Sequence, residues 1–165
     1  MTPPLTLLYA PADRPDRVRK ALASAADVVL VDLEDAVAPA RKDEARANAI
    51  DLLTTADRPV QVRVNHPSTP WHDADLAAVA GLPPSVGVRL PKVEAPSDVL
   101  AVAAVLPDRA LHPLIESALG VERALEIATA SPRVASIGLG EADLRSDLGV
   151  ADDAGLTWAR SRVIV

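Results

Sequence analysis

Cysteine and phenylalanine are absent from this 165-residue sequence, and only 2% of its residues are aromatic. The absence of cysteine excludes disulfides, thiol nucleophiles and thiolate metal sites, and it is compatible with a reducing cytoplasm. The sequence also has no apolar run near the ~18 residues that span a bilayer, and no signal-peptide pattern at its N-terminus. We therefore predict a cytoplasmic protein that makes no contact with a membrane.

Positive charge is in deficit, because 17 Lys and Arg face 23 Asp and Glu, for a net charge of −6 and a pI near 5.0. This balance argues against a nucleic-acid partner, since phosphate recognition requires a basic surface. With 49% hydrophobic and 24% charged residues, the composition is typical of a globular protein. We predict a single domain over residues 1–165, a length that suits one core.

Six short apolar runs alternate with helix-like segments along the whole sequence. The run VVLV at 28–31 is continuous, which is typical of a parallel strand buried on both faces. Pro113 lacks a backbone donor and is predicted to mark the start of the fifth strand. The predicted strands are 5–9, 28–31, 59–64, 87–90, one from Pro113, and 134–138; the predicted helices are 15–24, 39–54, 71–80, 97–106, 120–130 and 156–165.

Two α/β architectures fit six βα units, a doubly wound sheet and a TIM (β/α)8-type barrel. The doubly wound alternative lacks its G-x-G-x-x-G signature after the first strand. The third strand favours the barrel, because Val60 and Val62 alternate with Gln61 and Arg63, whose side chains would point into the barrel centre. We predict about six of the usual eight βα units in these 165 residues, without the last two units or a C-terminal lid.

Glu116 and Asp143 are the candidate metal ligands. All strand carboxyl ends lie on one face of such a barrel, so residues that follow different strands converge there. Two carboxylates that leave coordination positions open suit Mg²⁺, which keeps waters and accepts substrate oxygens. Each residue could instead be a helix cap or a first-turn acid. Their common face, with Arg63 nearby, favours the metal.

Arg63 is the candidate substrate-binding and catalytic residue, because a guanidinium can hold a carboxylate with two parallel hydrogen bonds. The alternative is a buried arginine that pairs with Asp32 or Glu34. Asp32, Glu34 and Asp35 follow the second strand, and crowded carboxylates raise one another's pKa values, which is useful for proton transfer. They could also form an ion-pair network or cap the following helix.

Arg14 opens the one basic segment, RPDRVRK at 14–20, at a predicted helix N-terminus that suits anions. We select Arg14, beside the end of the first strand, as a second substrate-binding candidate and expect the other basic residues to be solvated. Lys92 lies either near the barrel mouth or on the surface. The three histidines show no ligand spacing and receive no role.

Six segments of the sequence resemble the citrate lyase β-subunit-like family of the HpcH/HpaI aldolase superfamily. They follow one another in order over essentially the whole chain: LYAPADRP at 8–15, DLEDAVAP at 32–39, VRVN at 62–65, LPKVE at 90–94, PLIESA at 113–118 and GEADL at 140–144. The resemblance implies a TIM barrel that cleaves or forms a carbon–carbon bond next to a thioester. It also implies Mg²⁺ on Glu116 and Asp143, and a substrate carboxylate on Arg63.

The resemblance further implies that Glu34 and Asp35 order water and the reacting groups, and that Arg14 lies near the entrance for coenzyme A or phosphopantetheine. The predicted function is a Mg²⁺-dependent carbon–carbon lyase for a short hydroxyacyl thioester such as malyl-, citramalyl- or citryl-CoA. The alternatives are a thioesterase on the same scaffold and a non-catalytic or truncated subunit that only binds ligand or partner. Small-molecule thioesters or keto acids are the expected partners, with CoA or acyl-carrier protein as carrier, in a homo-oligomer that family members form as trimers or hexamers.

Overall fold

The computed structural model describes residues 4–164 of the chain. The chain divides into two compact units, residues 1–88 and 89–165, and the boundary falls inside the fourth strand, β4 (Val86–Leu90). Strands and helices alternate along both units, as the predicted α/β class requires.

The sheet of the first unit contains three complete parallel strands, β1 (Leu7–Pro11), β2 (Val28–Asp32) and β3 (Val60–Arg63), together with the first residues of β4. β2 pairs with both of the others, with Pro11 opposite Asp32 and Asp32 opposite Arg63. Every residue of β2 and β3 is buried, as expected for parallel strands covered on both faces. The register therefore places an aspartate and an arginine side by side at the carboxyl end of the sheet.

The first helix of the first unit begins as predicted and ends two residues early, whereas the other two helices begin later than predicted. Pro15 occupies the first turn of α1 (Pro15–Leu22), where its missing donor costs nothing. The helix predicted over 39–54 is instead a 3-10 turn (Pro39–Arg41) followed by α2 (Lys42–Leu53). Arg41 has φ −113° and ψ 5°, outside the helical region, so the α-helix begins one residue later. The last helix of this unit is α3 (His72–Ala80).

The first strand begins two residues later than predicted, at Leu7 rather than at Leu5. The backbone N–H groups of Leu5 and Thr6 donate to the Asp27 carboxylate, which diverts them from a strand ladder. At its other end the strand continues past the predicted Tyr9 to Pro11. Pro11 has no backbone N–H, and at the end of the strand no hydrogen bond is lost.

The second unit contains two paired parallel strands, β5 (Leu111–Ile115) and β6 (Gly138–Leu139), together with the last residues of β4. Its helical elements are α4 (Pro96–Val105), α5 (Ala118–Glu122), α6 (Ala124–Ala128), α7 (Glu141–Leu148), a 3-10 turn (Ala154–Leu156) and α8 (Thr157–Ile164). Val165, the last residue of the predicted helix 156–165, lies outside the described residues.

Pro113 lies in the middle of β5, so the prediction that it begins the strand is wrong. The missing N–H of Pro113 instead interrupts the pairing with the neighbouring sixth strand. Leu111 forms an isolated bridge to Val134, and regular pairing resumes only where Leu114 faces Gly138. Because Pro113 lacks the donor for the ladder between these points, the sixth strand shrinks from the predicted 134–138 to Gly138–Leu139.

Two helical predictions in the second unit are also corrected. The helix expected over 120–130 is divided into α5 and α6 at Arg123, whose backbone has φ −95° and ψ 11°. Helix α7, whose first turn contains Asp143, is not among the predicted helices and agrees only with the alternative of Asp143 as a first-turn acid. Within residues 4–164, no helix has the length and apolar character that crossing a membrane requires.

Candidate functional site

A buried ion-pair cluster occupies the carboxyl ends of β2 and β3 in the first unit. Arg63 donates from Nε to Asp32 Oδ1 at 2.7 Å and from Nη2 to Asp32 Oδ2 at 2.6 Å. Its Nη1 lies 2.9 Å from Glu34 Oε2 and 4.0 Å from Asp35 Oδ2. We call these four residues, Asp32, Glu34, Asp35 and Arg63, the Arg63 cluster. The paired alternative for Arg63 is therefore present, with both predicted partners.

Burial makes the Arg63 cluster electrostatically strong. Asp32 is 1% exposed, Glu34 5% and Arg63 9%, whereas Asp35 lies at the solvent edge. Burial alone would lower the pKa of Arg63, but the hydrogen bonds and charge of Asp32, with the charge of Glu34, raise it above its ordinary value. Arg63 is thus a permanent cation held by a bidentate pair of the strongest protein type.

Tyr9 lies in β1 and Arg14 follows that strand, and the two residues differ in their contacts with this cluster. The Tyr9 ring centroid is 5.4 Å from Cζ of Arg63, within the range of a cation–π contact. Arg14, the residue before α1, instead pairs its guanidinium with Asp16 at 3.3 Å, and its side chain is 45% exposed. The charge of Arg14 is therefore accessible to solvent, and its exposed ion pair with Asp16 is weak.

Glu116 follows β5 in the second unit and is only 6% exposed. The backbone N–H of Lys92 donates to its Oε2 at 2.8 Å. Gly140 makes room for this carboxylate, since a Cβ at Gly140 would lie 2.3 Å from Glu116 Oε1. The N–H of Gly140 also bonds to the carbonyl of Ile115 at 2.8 Å, which holds the glycine against the end of β5.

Asp143 lies in the same cleft as Glu116, in the first turn of α7. Lys92 contacts both acids, because its Nζ is 3.2 Å from Asp143 Oδ2 while its N–H bonds Glu116. Lys92 has φ 52°, the only positive value outside glycine in the described chain. This sparsely populated conformation typically marks a functional constraint. The cleft has a volume of about 540 Å³ and is lined by Lys92, Glu94, Glu116, Ser117, Asp143, Ser146 and Asp147.

The residues of this cleft fit a hard divalent cation that keeps part of its water shell. Glu116 and Asp143 supply carboxylate oxygens, while Ser117 and Ser146 add hydroxyl oxygens to the lining. Among residues 4–164 no group of three or more His, Cys, Asp or Glu side chains forms a complete metal cage. Mg²⁺ is commonly bound by one or two carboxylates plus water and substrate oxygens, so the donor set suits it.

Apart from Arg14, which pairs with Asp16, the predicted site residues therefore fall into two sets. Asp32, Glu34, Asp35 and Arg63 are brought together in the first unit. In the second unit Glu116 and Asp143 share a cleft, with Asp143 also matching the first-turn alternative.

Several residues of these sites were not predicted to be functional from the sequence. Tyr9 and Gly140 lie inside segments that carry the family resemblance, and this was the available signal for them. Lys42, which is 5% exposed and bonds the backbone after Asp32, had no such signal. Its surroundings in sequence, PARKDE, indicate only a solvated helix start.

A parallel α/β fold with acidic side chains following its strands defines the class of this protein. The model of the HpcH/HpaI aldolase/citrate lyase family matches residues 5–164. The chain belongs to this family.

Curated relatives are named for both enzyme activities that the sequence predicts as alternatives, a lyase and a thioesterase. A protein of Cereibacter sphaeroides named (3S)-malyl-CoA thioesterase is 42% identical over 146 residues, which cover 87% of this chain and 50% of the relative. An L-malyl-CoA/β-methylmalyl-CoA lyase of the same species is 40% identical over 161 residues, with the same coverage. The chain thus spans about half the length of the curated relatives that it matches.

Solved structures of the same family superpose closely on the chain. The citrate lyase β subunit of Mycobacterium tuberculosis, complexed with oxaloacetate and magnesium, has a TM-score of 0.80 and 36% identity, covering 95% of this chain and 70% of that one. The complex of CitE from the same organism with magnesium, acetoacetate and coenzyme A has a TM-score of 0.82 and 37% identity, over 96% and 59%. The predicted family and barrel-type α/β fold are confirmed.

Proposed function

We propose that this chain contributes a Mg²⁺-dependent carbon–carbon lyase activity on a short hydroxyacyl thioester such as malyl-, citramalyl- or citryl-CoA. The observation that carries the proposal is the pair Glu116 and Asp143 in one cleft, both contacted by Lys92. The names of the lyase relative and of the magnesium- and coenzyme A-bound structures support it.

Glu116 and Asp143 would hold Mg²⁺, and the ion would polarise substrate hydroxyl and carboxylate oxygens as a Lewis acid. Gly140 and the N–H of Lys92 hold the Glu116 carboxylate in one orientation, so little reorganisation is needed when a ligand binds. The Lys92 ammonium contacts Asp143 and thereby reduces the electrostatic repulsion between the two carboxylates.

Arg63 would bind the substrate carboxylate. A guanidinium has five N–H donors, and the contacts to Asp32 and Glu34 engage Nε and one direction of each terminal nitrogen. The remaining N–H groups can donate to a further carboxylate while Asp32 keeps the planar group oriented. Glu34 and Asp35 are proposed to order water and reacting groups, and Arg14, with its exposed charge, to bind the substrate's carrier.

A thioesterase is the second candidate, because the thioesterase relative is 42% identical to this chain. The two activities leave different products from malyl-CoA. A lyase breaks the carbon–carbon bond and leaves acetyl-CoA and glyoxylate, whereas a thioesterase leaves free CoA and malate. Liquid chromatography of the products from the purified chain distinguishes them, and intact malyl-CoA favours a subunit that only binds ligand or partner.

The first test is calorimetric binding of oxaloacetate with and without Mg²⁺. We expect binding that requires Mg²⁺, is lost in Glu116→Gln and is kept in Glu94→Gln. Glu94 is a matched control because it lines the same cleft but is exposed. Binding without Mg²⁺, or equal binding by the Glu116 variant, would contradict the metal site, and no binding by folded protein would refute an intact site.

Three further predictions remain proposals for the protein in solution. They are a homo-oligomer, trimeric or hexameric, a cytoplasmic location, and a single barrel domain over residues 1–165. Analytical ultracentrifugation tests the first, with a monomer as the contradicting result.

A further inference from the structure

Lys42, the first residue of α2, is a buried lysine whose ammonium is fully engaged. It is 5% exposed, and its Nζ donates to Leu33 O at 2.7 Å, to Glu34 O at 2.8 Å and to Asn65 Oδ1 at 2.6 Å. An ammonium has three donors, so these three acceptors use all of them. The Trp71 ring centroid lies 5.2 Å from Nζ and covers the group further.

The two carbonyls that Lys42 holds belong to the residues that directly follow Asp32. The side chain of Asp32 holds the same segment from the other side, since its Oδ1 accepts from the N–H of Glu34 at 2.9 Å. Asp32 also forms the bidentate pair with Arg63. The short backbone segment that carries Glu34 is therefore held through its carbonyls by Lys42 and through the Glu34 N–H by Asp32.

Asn65 couples Lys42 to the strand that carries Arg63. It lies two residues after Arg63, accepts from Lys42 through Oδ1, and donates from Nδ2 to Leu33 O at 2.9 Å. Asp75 holds the Asn65 amide, with Oδ2 at 2.6 Å from Nδ2, and pairs through Oδ1 with Arg46 at 2.9 Å. The polar groups that follow β2 and β3 in sequence thus belong to one connected hydrogen-bond network.

Burying a charged group carries a large desolvation cost, and replacing a buried ion pair with apolar side chains of similar volume is often neutral or stabilising. Burial lowers the pKa of Lys42, and the negative charges of Asp32, Asp75, Glu34 and Asp35 oppose that effect. The charge also balances the acids around Arg63. These features favour a role in orienting groups over a role in stability alone.

We propose that Lys42 is a positioning residue that fixes the Leu33–Glu34 backbone and thereby the Glu34 carboxylate and the Asp32–Arg63 pair. The proposal rests on the proposed role of the Arg63 cluster in substrate binding. Lys42 touches no substrate in this account. It acts through Glu34 and Asp32, and its loss would loosen the geometry with which Arg63 meets a carboxylate.

The direct test is solvent exchange of the Arg63 Nε–H, followed by ¹⁵N NMR, with the signal assigned by its absence in Arg63→Lys. Lys42→Met keeps the length of the side chain but removes its donors. We expect exchange at least about tenfold faster in this variant and unchanged exchange in Lys20→Met, a control at an exposed lysine of α1. Unchanged exchange in folded Lys42→Met would overturn the proposal.

A measurement on the wild type keeps the proposal testable if Lys42→Met does not fold. The ¹⁵N signal of the Lys42 ammonium should exchange slowly and stay visible near neutral pH, whereas that of exposed Lys20 should be lost to rapid exchange. Equal exchange of the two ammonium groups would refute the three-acceptor geometry.

Oxaloacetate binding provides the functional readout. With Mg²⁺ present, Lys42→Met should bind at least about tenfold more weakly, and Lys42→Arg, which retains charge and donors, should recover part of the loss. Wild-type affinity in folded Lys42→Met would contradict the proposal. Failure of the wild type to bind would refute the proposed function instead, and the exchange measurements would still decide the role of Lys42.

Discussion

Gly140→Ala should impair Mg²⁺ binding without altering any proposed ligand. A Cβ at this position would lie 2.3 Å from Oε1, 2.5 Å from Cγ and 2.8 Å from Cδ of Glu116. These distances fall about 1 Å short of an ordinary contact. The backbone at Gly140 has φ −89°, which alanine adopts freely, so the contact with Glu116 is the source of the effect.

The size of the effect follows from the strict geometry of the ion. Mg²⁺ requires near-octahedral oxygens at about 2.0–2.1 Å, so a carboxylate displaced by about 1 Å no longer coordinates in place. Changes that disturb ligand orientation typically cost about 10–100-fold in metal affinity. We expect a loss in that range, with the fold retained because the far end of a side chain can move aside.

The assay is calorimetric titration of Mg²⁺, with thermal unfolding measured on the same samples. Gly81→Ala is the matched control, because Gly81 has φ −78° and its Cβ would come no closer than 3.5 Å to Ala78 O. This control should bind Mg²⁺ like the wild type. Wild-type affinity in Gly140→Ala would refute the reasoning that the glycine holds the place of the Glu116 carboxylate.

Three further changes have expected outcomes. Asp32→Asn should destabilise the fold by about 3–5 kcal/mol in urea unfolding, because it leaves the buried Arg63 charge partly uncompensated; a cost below ~1 kcal/mol would contradict a buried pair. The pKa of His112 is lowered to about 4 by burial and by the charge of Arg89, against an ordinary value of 6.5. The unfolded chain therefore takes up this proton first as the pH falls, so stability is full above pH 6.5 and declines towards pH 4. His112→Gln should reduce the loss of unfolding free energy between pH 6.5 and pH 4 by up to about 3 kcal/mol. Identical pH profiles of stability for the variant and the wild type would exclude the lowered pKa of His112. Arg58 donates to the backbone carbonyl of Leu22 at the end of α1 and to those of Ser24 and Ala26 in the loop before β2. Arg58→Met should therefore cost about 2 kcal/mol of stability while leaving oxaloacetate binding unchanged, and weaker binding would show that its role is not only structural.

The helix and strand pattern could be predicted because it depends on local sequence. The continuous apolar run 28–31 follows from the burial of both faces of β2, whereas β3 alternates because Gln61 and Arg63 share one face of the strand. Pro113 shows where local reasoning fails. A proline can lie in mid-strand if the partner strand gives up its regular pairing, and that partner is more than 20 residues away, at Val134 and Gly138.

The site residues divide in the same way. Glu116, Asp143, Arg63 and Glu34 were identifiable because each lies at the end of a strand or shortly after one, within a segment typical of the family. Asp32 and Glu34 were predicted as alternative partners of Arg63, whereas the contact of Lys92 with Glu116 was not predicted. Lys92 meets Glu116 across 24 residues, and Arg63 meets Asp32 across 31.

The sequence by itself determined the order of the elements, the family and the chemical types of the candidate site residues. Those depend on periodicity and on short segments, which are properties of neighbouring residues. Only the tertiary structure decided that Lys42 is buried rather than solvated, and that Gly140 is where a side chain would displace Glu116. Both depend on which atoms come within about 3 Å after the sheets form, and no local pattern in the chain records such contacts.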